Sequence, residues 1–170
     1  MIATLTSLAS LAQPLPDDPE PIPRPEVDWG AAAPVLVLVG GALVLMLVSS
    51  FVRNRKATLG YTIFTCLVGL GTIGATIPLW REVQDADRGP FTTLAGAVGV
   101  DGFSTFLTVV IAASVILTAL LADDYLRRED LQGVEAYVLL LLSAAGGVVM
   151  AQANDLIVLF LGLEILSIAV

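Results

Sequence analysis

Residues 32–56 read AAPVLVLVGGALVLMLVSSFVRNRK, and the way this stretch runs decides the fold. Twenty-one residues, Ala32 to Val52, pass without a charge before Arg53, Arg55 and Lys56 arrive together. At ~1.5 Å per residue, a helix of that length covers the ~30 Å hydrocarbon core of a bilayer. The basic triplet then marks one membrane interface. Outward from this segment the pattern repeats, with apolar runs at 57–80, 102–122, 136–153 and 156–170. The last run meets no polar flank before Val170 and reads as an interrupted fifth span. The expected architecture is an all-α polytopic transmembrane bundle of about five helices.

Composition agrees. Of 170 residues, 56% are hydrophobic and only 14% charged, against ~25% charged in soluble domains. A net charge of −8 removes the basic footprint of a nucleic-acid binder and argues against a polybasic lipid anchor. The lone Cys66 leaves no intrachain disulfide, and the absence of His leaves no Cys/His zinc site and no Ser-His-Asp triad. No glycine-rich nucleotide loop and no C-x-x-C is present, so nothing in this chain matches a known nucleotide-binding signature.

Residues 1–31 differ from the rest. Six of the nine prolines fall between Pro14 and Pro25, among Asp17, Asp18, Glu20, Glu26 and Asp28. This composition suits an extended, extracytoplasmic tail. Ile2 to Ala12 lacks a positive leading region, which disfavours a cleaved signal peptide. Orientation follows from the bases. Arg53, Arg55, Lys56, Arg127 and Arg128 lie after the first and third spans, against Arg24, Arg81 and Arg88 on the other side. That bias places the N-terminus outside.

Close helix packing is expected at Gly69, Gly71 and Gly74, and along Ser143, Gly147 and Ala151. Hydroxyls at Thr62, Thr65, Thr72, Thr76, Ser104, Thr108 and Ser114 are expected to bond backbone carbonyls or neighbouring helices. Asp101 and Asp155 precede spans and suit N-caps. Asp123, Asp124, Arg127, Arg128, Glu129 and Asp130 read as a solvated loop cluster, and Glu135 as a dipole partner at the mouth of the fourth helix.

One ionisable side chain is out of place. Glu164 sits nine residues past Asp155, ~13.5 Å along a helix that begins there, near the midplane of the bilayer. A charge at that depth costs at least ~2.5–3.5 kcal/mol, so the carboxyl must be neutral, paired or hydrated. Ser167, three residues on, offers a polar neighbour, while Phe160 and Leu161 would keep the surroundings dry. Intramembrane acids mark ion and proton routes more often than structural pairs. Glu164 is therefore the candidate proton-translocating residue.

The stretch Ala153-Asn154-Asp155-Leu156, continued by Leu159-Phe160-Leu161-Gly162-Leu163-Glu164-Ile165-Leu166-Ser167, resembles the fifth transmembrane helix of the antiporter-like subunits of respiratory complex I. Leu163 directly before the glutamate fits one branch of that family, since sister subunits tend to carry an aromatic there. Pro25-Glu26-Val27-Asp28-Trp29 with Pro34-Val35-Leu36, and Val100-Asp101-Gly102-Phe103-Ser104 with Phe106, resemble the family's first- and third-helix entrances.

The resemblance implies a fragment of a fourteen-helix fold in a bacterial plasma membrane. It implies a role in coupling NADH oxidation and quinone reduction to proton translocation, with Glu164 standing at the family's fifth-helix glutamate. That glutamate pairs with a lysine on the seventh helix, which has no counterpart before Val170. NADH, flavin, iron–sulfur clusters and quinone would be handled by other subunits. The partners implied are the other membrane-arm subunits and the lipid bilayer, and no catalysis is expected from this chain alone. Two alternatives compete: a subunit of the related multi-subunit cation/proton antiporters, and a non-functional truncated membrane fragment whose Glu164 meets another chain.

Overall fold

A computed structural model describes residues 27–51, 58–129 and 133–169. Five helices follow one another: α1 (Trp29–Phe51), α2 (Thr58–Gln84), α3 (Gly102–Arg128), α4 (Val134–Ala151) and α5 (Leu156–Ala169). The first four are long and apolar enough to cross a membrane, and α5, with 14 residues, is shorter. The proline-rich tail up to Glu26, and Arg53, Arg55 and Lys56, lie outside the described residues.

Helices α1 to α4 close into a ring in which α1 meets α2 and α4, and α3 meets α2 and α4. Their shared core holds Leu38, Ala42 and Leu45 of α1, Tyr61 and Val68 of α2, Val115 and Ala119 of α3, and Tyr137, Leu141, Ala145 and Val148 of α4. Outside the ring, α5 packs chiefly on α4. Large apolar side chains such as Leu47, Leu67, Leu117 and Ile157 face outward, as a lipid-facing surface requires.

The hydroxyls behave as expected along the spans. Thr65, Thr72, Thr76, Thr108 and Ser114 each donate to the carbonyl four residues earlier, at 2.8–2.9 Å. A polar side chain is thereby satisfied within its own helix. Both N-caps form. Asp101 and Ser104 make a capping box, with Ser104 N–H donating to Asp101 Oδ1 at 2.7 Å, and Val158 N–H donates to Asp155 Oδ1 at 2.7 Å.

Two expectations are corrected. Helix α3 continues past Ala122 through Asp123, Asp124, Arg127 and Arg128. Those residues are helical rather than a loop. Arg127 pairs with Asp123 and Arg128 with Asp124, both at 2.8 Å with the acid four residues before the base. That spacing supports a helix, and bases in its last turn complement the dipole.

The connection between α2 and α3 is also more than a loop. It contains an antiparallel hairpin, β1 (Phe91–Thr93) and β2 (Val98–Val100), with Phe91 opposite Val100 and Thr93 opposite Val98. Alternate residues point inward, with Val100 and Thr93 buried. The turn passes through left-handed backbone at Leu94, Ala95 and Gly96.

The hairpin gathers several chain segments at one end of the bundle. Asp28 N–H donates to Thr93 Oγ1 at 2.9 Å. Arg88 bridges Asp28 and Glu82, each at 3.1 Å, and lies over the Phe91 ring. Beyond β2 the α4–α5 connection adds a short extra pairing, Val98 with Ala153.

Candidate functional site

Helix α5 carries the candidate acid, and its attachment determines which way that acid faces. Gly162 and Leu166 lie against Gly146 and Met150 of α4. Glu164 stands two residues from each of them, ~200° around the helix. It therefore projects away from α4 and is exposed on the outer face of the bundle. Ser167, Phe160 and Leu161 are exposed as well. Within the described residues Phe160 and Leu161 do not enclose the carboxyl. They share with it the exposed outer side of α5.

Ion pairs among the described residues involve Arg88, Arg127 and Arg128, and none includes Glu164. Arg81, in the last turn of α2, belongs to the hairpin end. No group of three or more metal-ligating side chains occurs among the described residues.

A second polar cluster was missed by sequence reasoning. Asp123, with a side chain only 16% exposed, accepts from Thr62 Oγ1 at 3.1 Å and pairs with Arg127. Thr62 Oγ1 also lies 2.8 Å from the Tyr137 hydroxyl, and both residues are buried. With the Thr62 proton on Asp123, the Tyr137 hydroxyl must be the donor of that second bond. The cluster ties α2, α3 and α4 together at the end opposite the hairpin. One available signal was the pairing of Asp123 with Arg127 at helical spacing. Only the packed bundle shows that Thr62 and Tyr137 reach it.

The close approaches also differ in detail. Gly69 meets Ile116 and the Ala112 carbonyl, and Gly71 meets Val37, as expected, but Gly74 faces open space. On α4 the tight residue is Gly146 rather than Gly147.

Four helices able to cross a bilayer and a shared apolar core define a polytopic α-helical membrane protein. No family model matches the chain. It is similar to NADH-quinone oxidoreductase subunit N 2 of Roseiflexus castenholzii, 36% identical over 145 residues, covering 85% of this chain and 27% of that protein. It is also similar to subunit N of Chloroflexus aggregans, 38% identical over 146 residues, and of Methylobacterium nodulans, 36% identical over 140 residues. Each of these two alignments covers 28% of the relative and, respectively, 85% and 82% of this chain. The chain matches part of subunit N of NADH–quinone oxidoreductase, and spans about a quarter of the length of these curated relatives.

Proposed function

We propose that the chain acts as part of a membrane-arm subunit of NADH–quinone oxidoreductase, in a bacterial plasma membrane, with its N-terminal end outside. In that role it contributes to coupling NADH oxidation and quinone reduction to proton translocation. Glu164 is the residue that takes and releases the proton, with Ser167 as its polar neighbour. The observation that carries this reading is the position of Glu164. It lies deep along an apolar helix, turned away from the helix that holds it, where a group from outside these five helices can meet it. The names of the relatives support this reading over the cation/proton antiporter alternative.

Redox cofactors and quinone belong, on this reading, to other subunits, and the five helices alone carry out no catalysis. The partners are those other membrane-arm subunits. The decisive experiment is Glu164→Gln in the full-length subunit within the assembled complex, with protons moved per NADH oxidised measured in sealed vesicles. A fall in that ratio is expected, because an amide keeps the shape but cannot exchange the proton. An unchanged ratio would remove Glu164 from the proton route.

A further inference from the structure

Two features of the structure restrain α5 independently. The first is its seat on α4. A Cβ built on Gly162 would come within 2.9 Å of the Met150 backbone nitrogen and 3.1 Å of the Gly146 carbonyl oxygen. A Cβ built on Gly146 would come within 2.6 Å of the Leu166 backbone nitrogen and 2.9 Å of the Gly162 carbonyl oxygen. These obstacles are backbone atoms, which no side-chain rotation can move. The two helices touch main chain to main chain, so α5 has little freedom to turn about its axis.

The second feature is a latch where α5 begins. Asn154 N–H donates to the Ala97 carbonyl at 3.0 Å, and its side-chain amide donates to the Gly96 carbonyl at 2.7 Å. Gly99 N–H donates back to the Gln152 carbonyl at 2.8 Å. The hairpin thus grips the residues immediately before α5, and the Asp155 cap starts the helix at that point. The seat limits rotation, and the latch limits sliding along the helix axis.

Resting on the reading of Glu164 as the proton carrier, we infer that Gly146, Gly162 and Asn154 are positioning residues that fix the direction and height of the Glu164 carboxyl. The lever is steep. Relieving a contact by ~1 Å at a Cβ standing ~3.3 Å from the helix axis takes a turn of about 20°, which carries a side-chain tip ~6 Å out through about 2 Å. Misplacement on that scale is enough to lose a proton-transfer geometry.

The test uses the full-length subunit in the assembled complex, with nitroxide labels at Leu94 in the hairpin turn and Phe160 one turn before Glu164, in a background free of other cysteines. Pulsed dipolar spectroscopy reads the distance between the labels, and vesicle assays read protons moved per NADH. Gly162→Ala is expected to shift the distance by about 2 Å or more and to lower the proton ratio at least ~2-fold. Gly74→Ala, at a position facing open space, serves as the control and should change neither. An unshifted distance in Gly162→Ala overturns the seat, and a shifted distance with an intact proton ratio overturns its role in positioning.

Should Gly162→Ala fail to assemble, Asn154→Ala, at an exposed side chain, decides the matter. It should raise amide exchange over residues 156–160 by about tenfold and lower the proton ratio, and an unchanged ratio overturns the inference. Glu164→Gln separates the two readings. If that variant pumps normally while Gly162→Ala still shifts the distance, the proton role of Glu164 fails and the seat stands.

Discussion

Asp123 and Glu164 are both acids on apolar helices, yet the bundle treats them in opposite ways. Asp123 is closed off: Thr62 donates to it, Arg127 pairs with it, and Tyr137 completes the cluster from a third helix. Glu164 is left on the outer face, with no ion pair among the described residues. The contrast separates an acid that ties three helices together from one left exposed on the outer face. Burial of a charge without partners is costly, which is the physical reason for the partners around Asp123. One is satisfied within the bundle, and the other is kept out of it.

Substitutions can break that contrast, and the largest effect should come from Asp123. Replacing it by Ala removes the acceptor for Thr62 and leaves a buried hydroxyl pair with one hydrogen bond fewer. A loss of about 2 kcal/mol is expected, read as a lowered midpoint of thermal unfolding in detergent. Tyr137→Phe removes only the hydroxyl that bonds Thr62 and should cost about 1 kcal/mol in the same assay. Asp155→Ala removes the cap at the start of α5, also worth about 1 kcal/mol at most sites, though the hairpin latch should hold part of the first turn. Glu164→Gln should be the quietest, within about 0.5 kcal/mol of the parent, as for surface changes that break no contact. If Glu164→Gln instead destabilises the protein as much as Asp123→Ala does, the distinction between the two acids collapses.

The same contrast shows where sequence reading reaches and where it stops. The helical, membrane-spanning class was legible because a bilayer demands long uncharged runs, and four helices are long and apolar enough to cross one. The end of α3 was not. Asp123, Asp124, Arg127 and Arg128 look like solvated loop residues until the pairing of Asp123 with Arg127 and of Asp124 with Arg128 at helical spacing is recognised. The hairpin was hidden for a different reason. Its strands have three residues each, and Leu94-Ala95-Gly96-Ala97 carries none of the Asn-Gly or Asp-Gly dipeptides that announce a tight turn. Gly146 and Gly147 could not be told apart in sequence because adjacent residues differ by ~100° around a helix. Which of them meets α5 depends on how α4 is rotated by its packing with α1 and α3.

By itself, then, the order of residues determined that this is a membrane-spanning helical protein and that Glu164 is its anomalous acid. Both follow from a property that acts locally: the cost of placing charge in hydrocarbon, which is read one segment at a time. Tertiary structure alone decided that Asp123 is enclosed, that Gly146 and Gly162 bring two backbones into contact, and that Glu164 looks outward. Those outcomes depend on the rotation of each helix against its neighbours, which is settled only when distant segments pack together.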